Sequence, residues 1–373
     1  MSRPHGRSAR LRAWGLVVLL ALALAVAACG GSDDNSSSSS SSSGGSSGAK
    51  KKDPKDVKLA MITATTTQNA FQEMALGAKA AGQAEGISLN SAAPNGINGP
   101  QEVAMFQSAM QTSKDGIAAM TTAPSNFVRP FSQAVAANIP VVAVDAAPLP
   151  ASNVKTFVGN SNTEVGEVMA KEVVKKIPVD STGEVVIGND IPGLPLLQFR
   201  IDGMVNVLKA ERPGVKIVGP FNVGSEPTQN YNNWVNLVKV HPNAVAYMAP
   251  GDQDAVSFLR ISKQNNKHYL VGACDVDPVA LQAVQQGYVE ALGDPWHWMK
   301  GYMAIWLLDQ NAKGTAMPEG WFNPGTEVVT SANVAKVIAR EQSNTARYAY
   351  FQSVIQQETA NPSAYIKPIS EAN

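Results

Sequence analysis

The sequence predicts an α/β protein of two doubly wound parallel-sheet lobes, and three observations lead there. Ten short β-rich runs, at 57–62, 88–91, 117–120, 141–144, 156–158, 185–188, 216–219, 244–248, 269–272 and 289–292, alternate with helical patterns. Such alternation implies parallel strands covered by helices on both faces. With two atypical stretches at the start set aside, roughly 317 of the 373 residues remain, beyond the ~250–300 at which one core stops growing. A break near Gly159 then divides the body into lobes of roughly 100–140 residues.

The elements follow in order. Residues 1–28 hold Arg3, Arg7, Arg10 and Arg12, no acid, and an apolar run at 16–28. This is the pattern of an export signal, and its apolar run falls short of the ~20 residues a spanning helix needs. The stretch Val26-Ala27-Ala28-Cys29-Gly30 looks like a bacterial lipidation site, with Cys29 taking diacylglycerol before cleavage. Residues 29–56 are rich in Ser, Gly and Lys, with eight serines from Ser36 to Ser43; such a segment is expected to be a disordered tether, reaching about 30 Å. Cys274 is the one other cysteine, so no internal disulfide is expected, and it reads as a small buried hydrophobe.

Thirty Lys and Arg balance thirty Asp and Glu. The four arginines of residues 1–28 all sit on the basic side, so the remaining chain is acidic by about four charges. No basic stripe is left to track phosphates, which excludes nucleic acid as a partner.

The first strand leads into a helix opening at Asn69, with Phe71, Ala75, Ala78 and Ala81 on one face and Gly86 as its stop. In doubly wound sheets ligands bind beyond the carboxyl ends of the strands, so the residues just after each strand are the informative ones. They include Asn69, Phe71 and Gln72 after the first strand, Asp145 after the fourth and Asn160 after the fifth. Asn189, Asp190 and an apolar loop at 191–194 follow the sixth; Asp252, Asp275, Trp296 and Trp298 follow later ones. Carboxylates and amides can each take two hydroxyls, and flat rings can cover the C–H faces of a sugar. Charge-assisted hydrogen bonds of ~1.5–3 kcal/mol each could supply the ~8 kcal/mol of a micromolar ligand. As ligand groups on a rim, Asp145 and Asp275 are expected to be removable with little loss of fold. Asp252 and Asp277 serve equally as helix N-caps, and Trp306 and Trp321 read as packing.

An enzyme is not expected. Outside the Ser/Gly-rich stretch 29–56 the Gly-x-Ser-x-Gly elbow is absent, as are the His-Glu-x-x-His pair and the phosphate loop anywhere, and His241, His268 and His297 are scattered. Asp252-x-Asp254 lacks the glycine and closing Glu of a calcium loop. Neither a cofactor nor a metal is expected.

From about residue 56 to 333 the order of motifs resembles the type I periplasmic binding proteins, most closely the ribose- and galactose-binding group. Asn69-Ala70-Phe71 stands where that family has Asn-Pro-Phe at a helix start, and Ile139-Pro140-Val141 leads to a strand ending in Asp145. The stretch 159–166, His241-Pro242 before the 244–248 strand, Asp252, and Val271-Gly272-Ala273-Cys274-Asp275 match further landmarks.

The resemblance implies two lobes joined by a three-strand hinge, crossing near 158–162, 293–295 and 324–329. The first lobe would comprise 57–159 with 295–330, the second 160–294, and 331–373 a helical tail packed on the first lobe. Asn69, Phe71, Gln72, Asp145, Asn160, Gln198, Arg200, Asp252, Asp275, Trp296 and Trp298 would contact the ligand. Ala146 replaces the Arg that follows the strand-exit Asp in ribose binders, Gln198 stands at the second lobe's Arg position, and Leu194, Pro195, Leu196 and Leu197 replace a small polar stretch. These departures point to a deoxysugar, a substituted sugar or a non-sugar rather than ribose.

The function implied is a monomeric, lipid-anchored solute-binding protein on the outer face of the cytoplasmic membrane or in the periplasm. It would close on a small molecule, a sugar above all, and hand it to the permease of an ABC importer. The alternative is a lipoprotein that presents its ligand to a membrane sensor.

Overall fold

The computed structural model describes residues 52–373; the expected export signal, Cys29 and all but the end of the tether lie outside the described residues. The end of that tether is structured, contrary to expectation. Pro54–Asp56 form one 3-10 turn capped by Asp53, and Lys52 pairs with Asp115.

In chain order the elements are β1 (Lys58–Ile62), α1 (Asn69–Glu85), β2 (Ser88–Ala92), α2 (Gly99–Thr112), β3 (Gly116–Met120), α3 (Pro124–Ala136), β4 (Val141–Val144), β5 (Thr156–Val158) and α4 (Asn162–Val174). There follow β6 (Glu184–Asn189), α5 (Pro195–Glu211), β7 (Lys216–Asn222), α6 (Pro227–Val240), β8 (Ala246–Met248), α7 (Gln253–Asn265), β9 (Val271–Cys274), α8 (Pro278–Gln285) and β10 (Ala291–Asp294). The last are α9 (His297–Ala312), β11 (Gly320–Phe322), β12 (Glu327–Thr330), α10 (Val334–Glu341), α11 (Asn344–Ala360) and β13 (Ile366–Lys367).

The strands make two sheets, ordered β13-β11-β5-β4-β3-β1-β2 and β12-β10-β9-β8-β6-β7. Every pairing is parallel except β11 with β13 and β10 with β12. Central strands such as β3 and β4 are buried at every residue, as strands covered on both faces must be. The outer strands β2 and β7 have no fully buried residue and are partly open to water, as edges are.

Helix α1 buries Phe71, Met74, Ala78 and Ala81 and ends at Gly86, whose φ of 69° supplies the left-handed cap. Two helix pairs approach so closely that only glycine fits between them. A Cβ on Gly77 of α1 would lie 1.8 Å from the carbonyl oxygen of Trp298 in α9, and one on Gly301 would lie 1.9 Å from that of Met74. In the second lobe the same holds for α4 and α5: Gly166 meets the Arg200 carbonyl at 1.9 Å and Gly203 meets that of Thr163 at 2.1 Å.

Three segments pass between the sheets: β5 to α4, β10 to α9, and β11 to β12. They are tied to one another. Trp321 Nε1 donates to the Gly159 carbonyl at 2.6 Å, Thr326 Oγ1 donates to the Asp294 carbonyl at 2.8 Å, and the Asn160 amide donates to the Gly325 carbonyl.

Two boundaries differ from expectation. The segment expected in the first lobe to residue 330 leaves it after β11, because β12 pairs with β10 in the second sheet. The tail spans both lobes: Val334 and Val337 of α10 join the second lobe's core, whereas Phe351 and Ile355 of α11 join the first. The short α10 directly follows β12, which holds it beside the second sheet. A break capped by Ser343 then redirects the chain, and β13 adds to the first sheet's edge. Among the described residues no helix is long and apolar enough to cross a membrane. Cys274 is free and buried, and burial pushes its thiol up to about 12.

Candidate ligand-binding site

The carboxyl ends of the two sheets face one cleft, and an aspartate stands at corresponding exits. Asp145 follows β4 with φ 63° and Asp275 follows β9 with φ 68°. The Asp145 amide donates to the carbonyl of Val158 at 2.8 Å and the Asp275 amide to that of Gly293 at 2.7 Å, so each bond to the neighbouring strand fixes the turn. Asp tolerates this left-handed backbone better than most residues, and strain of this kind gathers at binding sites.

A chain of polar contacts runs between the lobes from one aspartate to the other. The Lys300 ammonium, fully enclosed on α9, pairs with Asp145 Oδ1 and lies 3.2 Å from His297 Nδ1. His297 Nε2 is 2.8 Å from Asp275 Oδ1. An ammonium only donates, so Nδ1 accepts and Nε2–H donates. Arg200 of α5 closes the row: Nη1 reaches Asp275 Oδ1 and Oδ2 at 3.1 and 3.2 Å and the Pro250 carbonyl at 2.7 Å, and Nε reaches Asn162 Oδ1 at 3.0 Å.

Burial opposes ionising Asp145, but Lys300, with His297 and Arg200 behind it, holds the carboxyl below the usual range. Burial likewise opposes Asp275, and Arg200 with His297 outweighs it, so this carboxyl also lies low. These pairs show why the expectation of cost-free removal fails. Deleting either carboxylate would strand a buried cation.

The cavity between these groups measures about 50 Å³, less than the ~150 Å³ that holds one benzene. Phe71 and Met120 from the first lobe and Ile191, Leu194, Leu196 and Leu197 from the second form its apolar wall. The lobes also touch directly, through Gln68 Nε2 on the Ser225 carbonyl at 3.3 Å and Asn69 Nδ2 on the Val276 carbonyl at 3.5 Å. The cleft is shut.

The chain matches the periplasmic binding protein domain over residues 59–316, more than half of its length. It belongs to the periplasmic binding protein family.

That family is one of extracytoplasmic binding proteins, not enzymes. A relative, the xylose/arabinose-binding protein XylF of Sulfolobus acidocaldarius, is 22% identical over 265 residues, 66% of this chain and 64% of the relative. The matched region thus spans just under two thirds of that protein. Among solved structures, a solute-binding protein of an ABC transporter from Burkholderia graminis in complex with D-arabinose superposes with a TM-score of 0.69, at 23% identity over 76% of this chain and 98% of that one. The arabinose-binding protein AraP of Geobacillus stearothermophilus gives 0.66, at 21% identity over 75% and 99%. At these identities the likeness concerns the fold.

Within this periplasmic binding protein, Phe71, Asp145, Arg200, Asp252 and Asp275 of the residues singled out in the sequence line the cavity. Asn69 does not line it but bonds across to the second lobe at the Val276 carbonyl. The others stand elsewhere. Gln72 is exposed and donates to the Thr66 carbonyl at 2.7 Å. Gln198 points along its own helix to Asp202 at 2.8 Å, and Arg200 takes the inward place expected of it. Asn160 serves the hinge.

Trp296, with φ 48°, packs edge-on to Phe351. Trp298 is core: its ring stacks on Tyr302 and Phe351 and its Nε1 donates to Asn344 at 2.6 Å. The α9 turn aims 296 and 298 away from the cleft and 297 into it. Asp190, read at a strand exit, lines the cavity too, whereas His297, Lys300 and Gln68 were not singled out. His297 and Lys300 stand three apart in a helix beginning at a strand exit, a spacing that places them on one face.

Proposed function

We propose that the protein captures a monosaccharide between its lobes and delivers it to the permease of an ABC importer, held at the membrane by lipid on Cys29. The observation that carries this reading is the row Asp145, Lys300, His297, Asp275 and Arg200, which places oriented polar groups, two carboxylates and two cations among them, from both lobes in one cleft. Sugar hydroxyls both donate and accept, so a pyranose can insert into such a row and keep every buried group paired. The leucine wall favours a sugar with one less polar face, such as a deoxysugar or substituted sugar. Arabinose and xylose, named for its relatives, are the first candidates.

In the closed form the cavity is too small for a sugar, so ligand has to enter an open form and part the leucines from Phe71 and Met120. Closure then depends on the ligand's differential affinity for the two states, with the three crossing segments absorbing the dihedral change. A closed face would be the form the permease engages.

A thermal-shift screen of the purified protein against aldopentoses, aldohexoses, ketohexoses and deoxysugars tests this. Saturating sugar at about 100 times its Kd stabilises by about 2.7 kcal/mol, a rise of several degrees. If no sugar raises the melting temperature while another solute class does, the carbohydrate reading is wrong.

A further inference from the structure

One side of the cleft has acid without cation. Asp145 has Lys300 and Asp275 has Arg200, but Asp190, Asp252 and Asp254 take part in no ion pair among the described residues. Asp254 is nonetheless fully engaged, accepting from Asn230 Nδ2 at 2.9 Å, Trp234 Nε1 at 2.7 Å and the Gly251 amide at 3.1 Å. The other two are not. Asp190 and Asp252 are each 6% exposed and both line the cavity. Asp190 Oδ1 and Asp252 Oδ2 are buried without any hydrogen-bond partner among the described residues.

Buried carboxyl oxygens that lack a donor are costly and are rarely left so. A ring hydroxyl offers one proton to one of them and does nothing for the local excess of acid. An ammonium offers three donors and a positive charge. We propose that the solute taken by this cleft carries a cationic amine seated on Asp190 and Asp252, as an amino sugar would. This rests on the reading of the cleft as a sugar site and names the sugar's class.

The protonation of the free site agrees with it. Burial, with Asp275 and Asp277 adding to it, pushes the Asp252 carboxyl up to about 8. Burial and the neighbouring Asp254 likewise raise that of Asp190. The raised Asp252 carboxyl holds a proton near neutral pH until a cation arrives to replace it. The leucines opposite supply the apolar face for the ring carbons.

The test is titration calorimetry at pH 6 with D-glucosamine, D-galactosamine and D-mannosamine beside D-glucose, D-galactose and D-mannose, in two buffers of different ionisation enthalpy. At least one amine should bind tenfold or more tightly than its parent and release a proton on binding. Asp252→Asn should erase both the preference and the release, with its fold checked by thermal melting. Asp190→Asn, which keeps the side-chain shape, gives a second variant that should weaken the amine alone. Parents that bind as tightly as their amines, or amine binding without proton release, would overturn this inference and leave the sugar reading standing. If neither series nor any other sugar binds, the sugar reading fails and this inference falls with it.

Discussion

His297 on the first lobe and Asp275 on the second meet at 2.8 Å inside the cleft, and through that contact Lys300 and Arg200 become parts of one row. Separation of the lobes would break this bond, and we expect it in the closed state alone. We expect His297→Ala to favour the open form and to weaken ligand binding at least tenfold, whereas His297→Gln, which can still donate, should retain most of the affinity. Scattering profiles of the ligand-free variants and binding isotherms check both.

The ion pair of Lys300 and Asp145 is enclosed by the first lobe. Lys300→Met leaves a carboxylate without its counter-charge, and we expect a loss of about 3–5 kcal/mol in urea unfolding. The double variant Lys300→Met, Asp145→Leu should recover much of that stability while binding no sugar. A double variant as unstable as the single one would contradict the pairing.

Gly166 sits 1.9 Å, measured from a would-be Cβ, from the carbonyl oxygen of Arg200. Gly166→Ala must push α5 outward and carry the guanidinium with it. We expect a loss of stability on the order of 2–4 kcal/mol, in the range of other overpacked or strained sites, with weaker binding as well. Gly77→Ala, which presses on Trp298 at 1.8 Å, should destabilise similarly.

Glu102 has one oxygen bonded to Thr121 Oγ1 at 3.1 Å and the other buried without a partner among the described residues. Burial outweighs that bond and raises its carboxyl from the ordinary 4.5 to about 8; burial does the same to Glu358. Between those pH values the unfolded chain has released the proton and the folded one still holds it. Stability therefore falls as pH rises from about 4.5 to 8. Glu102→Gln should flatten this slope in melting curves taken across that window, and an unchanged slope would show that Glu102 is not the cause.

Much of this organisation is legible in the sequence for physical reasons. Strands buried on both faces, such as 117–120 and 141–144, announce themselves as unbroken apolar runs, and all ten of those read from the sequence are present. Three strands, β11, β12 and β13, were not read as such; β13 has only two residues, and Pro324 and Gly325 break the run between β11 and β12. The strand-exit rule brought Asp145, Asp252 and Asp275 to the cleft. It failed at Trp296 and Trp298 because a helix start turns successive side chains by about 100°, so of three adjacent residues only His297 faces inward. Lys300 could be found only by knowing which helix face covers β4, a tertiary fact.

The most direct test of the sugar-binding account is calorimetric titration of the protein with D-arabinose, L-arabinose, D-xylose and the best sugar from the thermal screen, repeated with Asp145→Asn and Asp275→Asn. These variants keep side-chain shape and remove charge from the two ends of the row. The account expects one-site binding of a sugar near ~1 μM, about 8 kcal/mol, weakened at least a hundredfold in each variant whose melting shows it folded. Sugar affinity unchanged in both folded variants, or no sugar bound by the unaltered protein, would contradict it.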